Sequence, residues 1–330
     1  MRFSFAHIPL DDTRDTVALV QHAERLGFHR AWIPDQTFFK DPYAILAACA
    51  LQTERIEFGV GITNPYTRHP AATARAIATV DELSEGRGLL ALGAGNRKEL
   101  LGPLGLSGER AATACREAVT VMRALLSGQT VDFKGEVFEA RGVALEFGAR
   151  ANLPLYVAAR GPLVLQAAGR CADGVIIGGF LSGSGTDYFF ANIDKGLQGR
   201  ERGLGRPQVV AWSTCVVSDD REGELAKIKP RLAHVIHRAP AQGIQAAGIE
   251  TDRIERIKAA YAAGREAEAI AHVNDALVEA MCIVGDPTYC AARVETLAGR
   301  GVDELAILLQ REPLSEMKAR LDRIAGALMG

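Results

Sequence analysis

Residues able to do chemistry cluster where the hydrophobic runs of this chain stop. AHIP carries His7, PDQ carries Asp35 and Gln36, GITNP carries Gly61, Ile62, Thr63 and Asn64, and GAGN carries Gly93, Ala94, Gly95 and Asn96. Further on, AARGPL carries Arg160, Gly161, Pro162 and Leu163, and VIIGG ends on Gly178 and Gly179. An imidazole or a carboxyl group moves protons; the amides of Gln36 and Asn96 orient a partner by hydrogen bonds but exchange no proton. Gly161-Pro162 after a strand-like run starts a helix, and the free N–H groups of Gly161 and Leu163, with Arg160 beside them, suit an anion such as phosphate. In IEFGVGI, Gly59 and Gly61 share one strand face with Glu57. Glycine weakens a strand, so that bare face marks either a bulge or a place where a flat ligand lies against backbone.

Other chemistries find little support. His234 and His237 lack the companion ligands of a metal site and read as packing or surface histidines. SGSG at 182–185 reads as a flexible loop, because it lacks the strained elbow of a serine nucleophile. Asp81 and Glu82 read as solvated charge or helix pairing near a helix end. The cysteines at 49, 115, 171, 215, 282 and 290 show no C-x-x-C pairing and sit in apolar surroundings, as buried thiols of a reducing cytoplasm do. No metal is expected.

The elements that must position these residues alternate. Strand-like runs fall at 2–8, 31–34, 56–62, 88–95, 154–159, 174–179, 209–217 and 304–310, with helical runs between them. Asp41-Pro42, His69-Pro70, Gly161-Pro162 and Asp286-Pro287 place proline in a first helical turn, and Gly27, Gly86 and Gly128 follow helical runs as stops. Eight strand–helix repeats predict an α/β fold, a (β/α)8 TIM barrel spanning 1–330 as one domain. A doubly wound sheet is the runner-up, disfavoured because no G-x-G-x-x-G follows the first strand. Residues 219–280 carry helical and polar sequence without a convincing strand, and read as a helical insertion between strands 7 and 8 covering one end of the barrel. In such a barrel the site lies at the C-terminal strand ends, where the residues above all fall.

A formal net charge of -2 and the lack of any basic stripe argue against nucleic acid or an anionic membrane as partner. No apolar run approaches the roughly 20 residues of a membrane helix. The first residues, MRFSFAHIPLDD, do not read as a signal peptide, so a cytoplasmic protein is expected.

GVGITNPYTRHPAATARAIATVDELSEGRGLLALGAG resembles the strand-three to strand-four segment of the bacterial-luciferase-like flavin and deazaflavin oxidoreductases. HAERLGFHRAWIPDQ, GPLVLQAAGRCADGVIIGG and CIVGDPTYCAARVETLAGRGVDELAI extend the likeness over most of the chain outside the insertion, and it is most similar to the methylenetetrahydromethanopterin reductase branch. The resemblance implies a luciferase-like barrel, coenzyme F420 or FMN, and hydride exchange with a small-molecule substrate such as a reduced-pterin CH–N group. It implies a non-prolyl cis peptide at Gly61-Ile62 within a bulge backing the coenzyme ring. Two alternatives stay open: an FMN-dependent monooxygenase served by a separate flavin reductase, and a non-catalytic cofactor-binding homologue. Relatives often have an acid where Asn96 stands, histidine where Gln36 stands, and glutamate near Ala6-His7. Proton handling is therefore expected from His7 or Asp35, with Gln36 and Asn96 as further catalytic candidates. Relatives also pair through helices beside strands two and three, so a homodimer or higher homo-oligomer is expected.

Overall fold

The computed structural model describes residues 1–36, 38–238, 245 and 248–330. From the N-terminus, β1 (Arg2–Ala6), β2 (Arg30–Ile33), β3 (Glu57–Thr63) and β4 (Gly88–Gly93) lie side by side and parallel. A hairpin of β5 (Val131–Lys134) and β6 (Glu139–Val143) forms a separate sheet. The main sheet continues through β7 (Leu155–Ala158), β8 (Gly174–Gly178) and β9 (Gln208–Val217). After β10 (Cys282–Gly285), which pairs with the C-terminal half of β9, β11 (Glu304–Leu308) lies between β9 and β1 and closes the ring. Eight parallel strands thus make the expected barrel. The hairpin and β10 are additions that periodicity did not reveal, since each segment is only four or five residues long.

Helices α1 (Thr13–Arg25), α2 (Pro42–Ala50), α3 (Pro70–Leu83), α4 (Ala111–Leu126), α5 (Pro162–Cys171) and α6 (Gly183–Leu197) follow the first six barrel strands. Each of the four expected proline starts opens a helix, and three carry a side-chain cap. Asp41 accepts from the N–H groups of Tyr43 and Ala44, His69 from Ala71, and Asp286 from Tyr289. Ser182 corrects the flexible-loop reading of SGSG: it caps α6 by accepting from Gly185 N, so the glycine-rich stretch is a first helical turn. The insertion between β9 and β11 holds α7 (Arg221–Arg238), α8 (Thr251–Ala262), α9 (Glu266–Ala271) and α10 (Asp275–Met281), before β10 and α11 (Pro287–Gly299). Helix α12 (Leu314–Leu328) follows β11. No helix among the described residues is long and apolar enough to cross a membrane.

Two cores result. The larger lies between barrel and helices, while a smaller one fills the lumen with Ala6, Trp32, Leu89, Tyr156, Val210 and Ala306 among others. At the floor of the lumen Arg30 donates to Glu304 (2.8 Å) and Glu57 (2.6 Å). The fully buried Glu304 also accepts from Ser4 Oγ at 2.6 Å and Trp32 Nε1 at 3.3 Å, so its charge is surrounded by donors. Arg30 stacks over the rings of Trp32 and Tyr156, 5.2 and 5.4 Å from their centroids.

The bare face of strand three receives its answer here. A methyl group at Gly59 or Gly61 would run into the indole of Trp32, and at Gly61 it would also come within 3.2 Å of Trp212. The glycines therefore make room for the protein's own lumen aromatics, which corrects the expectation that this face lies open for a flat guest. Gly59→Val is expected to cost about 1–3 kcal/mol of stability by overpacking the lumen. Adding Trp32→Leu should return part of that loss. Urea unfolding of both variants checks it, and a neutral Gly59→Val would contradict the packing.

Candidate active site at the barrel mouth

Past the lumen aromatics, the strand ends form a mouth floored by the half-buried side chains of Ile62, Ala158, Trp212 and Leu308. The Gly61–Ile62 peptide is cis, and the β3–β4 register shifts between Val60 and Thr63, as a bulge requires. Ile62 turns its Cδ1 toward Gly93, where any Cβ would stand 2.7 Å away. A side chain at Gly93 would therefore displace the tip of Ile62. Gly95, at φ 74°, packs against Leu101 and Asn64 in a conformation that glycine adopts readily. Ala94 remains partly open.

Thr63 and Asn64 are buried and point to different tasks. Thr63 Oγ1 donates to Asp35 Oδ2 at 2.6 Å. Asn64 Oδ1 accepts from the N–H groups of Tyr66 and Thr67, and its amide donates to Thr67 Oγ1, so it shapes the turn after β3. Asp35 is half-buried, and desolvation raises its pKa above the ordinary carboxylate value despite the Thr63 hydrogen bond and Arg68. Gln36, its neighbour, is exposed. Tyr43 lies close by with its buried hydroxyl lacking a hydrogen-bond partner, and Arg68 stacks 4.5 Å above its ring.

His7 is buried, and burial drives its pKa down to about 4 against the pull of Asp11. Its imidazole is neutral at pH 7. Asn96 is exposed and caps the single helical turn Arg97–Leu101, accepting from Lys98 N and Glu99 N while its amide donates to Glu99 Oε2 at 2.9 Å.

On the opposite side, Arg160 is half-buried with no ion-pair or hydrogen-bond partner for its guanidinium among the described residues. Burial alone lowers its pKa. Its Cζ lies 3.6 Å from where a Cβ of Gly179 would stand, and Gly179 has φ 87°. Gly161 caps α5 without any side-chain hydrogen bond, and open space surrounds its α-carbon. Pro162 is the first helical residue, and Leu163 is 69% exposed, which leaves the first turn of α5 accessible. A Cβ on Gly178 would stand 2.9 Å from the carbonyl oxygen of Trp212, so the strands pack closely here.

The expected residues therefore separate into a proton-bearing side, with Asp35, Thr63 and His7, and a cationic side, with Arg160, Gly161 and Gly179. Sequence reasoning missed Trp212 and Gln310, whose Nε1 and Nε2 are buried without partners. Gln310, just past β11, carries the signal used elsewhere, a polar-tipped residue near the end of a barrel strand, whereas Trp212 lies midway along β9. The excluded chemistries have structural roles. His234 and His237 pack on Tyr261, and no group of metal-holding side chains occurs among the described residues. Asp81 is buried and held by Arg150, a paired charge.

Comparison with known proteins extends these observations. A profile of the luciferase-like monooxygenase family matches residues 3–304. The chain is 30% identical to a 5,10-methylenetetrahydromethanopterin reductase of Archaeoglobus fulgidus, over 92% of each chain. It is 32% identical to an F420-dependent glucose-6-phosphate dehydrogenase of Amycolatopsis mediterranei, over 57% of this chain and 61% of that one. The coenzyme F420 dependent tetrahydromethanopterin reductase of Methanopyrus kandleri superposes with a TM-score of 0.88 at 27% identity, covering 99% of this chain and 98% of that one.

The low pKa of His7 has a thermodynamic consequence. Between its ordinary value of 6.5 and about 4, the unfolded chain takes up a proton that the folded protein refuses, so stability falls as pH drops through this window. The loss attributable to His7 should approach about 3 kcal/mol at its lower end. His7→Gln should flatten that part of a stability–pH curve measured by urea unfolding; an unchanged slope would contradict the burial of a neutral imidazole.

Proposed function

The chain belongs to the luciferase-like monooxygenase family, and from that premise we propose an F420-dependent oxidoreductase acting on a reduced-pterin CH–N group. The observation that carries this reading is the full-length likeness to the tetrahydromethanopterin reductases, in sequence and in fold together. The residues present fit such a coenzyme. Arg160 and the uncapped first turn of α5 offer an anion seat, and Gly161 leaves it open. The apolar floor of Ile62, Ala158, Trp212 and Leu308 suits one face of a ring. The orphaned Trp212 Nε1 and Gln310 Nε2 supply donors for acceptors at a ring edge.

When bound, the coenzyme supplies hydride transfer; the protein's own contribution is position and proton control. Thr63 fixes Asp35 through Oδ2, and burial lets the carboxyl hold its proton to higher pH than an exposed acid. His7 stays neutral beside the mouth and carries no charge that would attract or repel hydride. Asn96 is engaged in capping, and Gln36 has no proton to give, so Asp35 is the proton-bearing group best placed to serve the substrate. Trp212 and the lumen aromatics behind it close the barrel below and exclude water from that direction.

Titration of the purified protein with F420 and with FMN, followed by fluorescence, tests the coenzyme. Saturable binding of F420, tighter than FMN, is expected, and the reverse preference overturns the reading. Arg160→Gln should weaken F420 binding by about tenfold or more, since a hydrogen bond to a charged group contributes about 1.5–3 kcal/mol. Asp35→Asn should leave F420 binding intact while turnover of a methylene-tetrahydropterin falls by about 10²–10⁴. Retained turnover would move the proton elsewhere.

A further inference from the structure

Two thiols meet where the insertion rejoins the barrel. Along β9 the side chains alternate: Val210 and Trp212 line the lumen, while Val209, Ala211 and Cys215 belong to the core between barrel and helices. Helix α11 packs against β9 and β10 and carries Cys290 in its first turn. Cys290 Sγ lies 3.7 Å from the carbonyl oxygen of Val216, the residue next to Cys215, and 3.4 Å from that of Gly285. Cys215 and Cys290 are both unbridged, and they are 3% and 0% exposed. A third cysteine of this region, Cys282, is in register with Thr214, one position short of Cys215. It therefore projects from the opposite face of the sheet.

The two thiols are chemically unequal. Cys215 donates its S–H toward Cys290, and this hydrogen bond, with burial, raises the pKa of Cys215 well above the ordinary thiol value. The same bond lowers the pKa of Cys290 against the opposing effects of burial and of Asp286. The first turn of a helix also favours a thiolate. Asp286, Pro287 and Thr288, just ahead of Cys290, are exposed, so opening a single turn brings its sulfur to solvent.

We propose that Cys290 and Cys215 form a disulfide when the protein meets a peroxide, and that this bond ties the far end of the insertion to strand seven of the barrel. The Cys290 thiolate attacks one peroxide oxygen and breaks the O–O bond, giving a sulfenic acid and hydroxide, which takes up the proton the thiol released. The Cys215 sulfur then attacks the oxidised sulfur; the S–S bond forms, and the hydroxyl leaves with the Cys215 proton as water. Two thiols are oxidised, and one hydrogen peroxide is reduced to two molecules of water. The bond closes a loop that contains α7 to α10 and β10, so it restricts the unfolded chain over the whole insertion.

Peptide mapping tests it. The full chain is treated with hydrogen peroxide, its remaining thiols are alkylated, and the digest is read by mass spectrometry. Peptides joined through Cys215 and Cys290 should appear only after peroxide and separate again with dithiothreitol. The oxidised protein should melt about 3–7 °C higher, because a long loop is closed in the unfolded state. Cys290→Ser should abolish both the linkage and the shift, while Cys282→Ser should keep both. If Cys290→Ser does not fold, Cys215→Ala serves instead: it should trap Cys290 as a sulfenic acid that dimedone labels. Oxidation of Cys290 to a sulfinic acid without linkage in the unaltered protein overturns the proposal. So does a bridge through Cys282, or a pair that reacts only once urea has unfolded the chain.

Discussion

Strand three gives up two side chains inside the barrel, and the indole of Trp32 takes their place. This contact decides where the lumen ends and the mouth begins. With Gly59 and Gly61 reduced to backbone, Trp32 lies across the lumen against Tyr156 and Trp212, with ring centroids 5.7 and 6.2 Å away. Below it the space is polar and closed by Arg30 and Glu304; above it the floor is apolar and partly open. A dense interior transmits such a demand, because no void remains to absorb an extra methyl group. The bulge at Val60 to Thr63 then turns Ile62 toward Gly93 and aims Thr63 at Asp35.

The two ends of the barrel treat charge in opposite ways. At the closed end every buried ionic group has partners: Arg30 has two carboxylates, and Glu304 has Arg30, Ser4 and Trp32. At the open end the half-buried Arg160 has no ion-pair or hydrogen-bond partner for its guanidinium among the described residues, while Asp35 keeps one hydroxyl partner and a raised pKa. Folding alone gives no reason to hold unpaired cations out of water, whereas binding an anion does.

Asn96 illustrates why a position cannot be equated with a role. It stands just past the end of strand four, yet its side chain is spent on the turn Arg97–Leu101 and on Glu99. Asn64 is likewise engaged in shaping its own turn. The proton-bearing residues that remain, Asp35 and His7, differ through burial: one is pushed toward keeping its proton, the other toward losing it.

Strand and helix order and the proline-led helix starts were legible in the amino-acid sequence. They follow from local rules: alternation, capping and the fixed hand of β/α units act within a few residues. What occupies the glycine face of strand three was not legible, because Trp32 and Trp212 reach it from other strands, 27 and 151 positions from Gly59 and Gly61 respectively. The hairpin β5–β6 and the strand β10 were also hidden, since each is defined by its pairing partner rather than by its own pattern. The charge state of His7 depends on burial by elements distant in sequence. Residue type sets what a group is able to do; only the tertiary structure decides which groups are satisfied and which are left to bind.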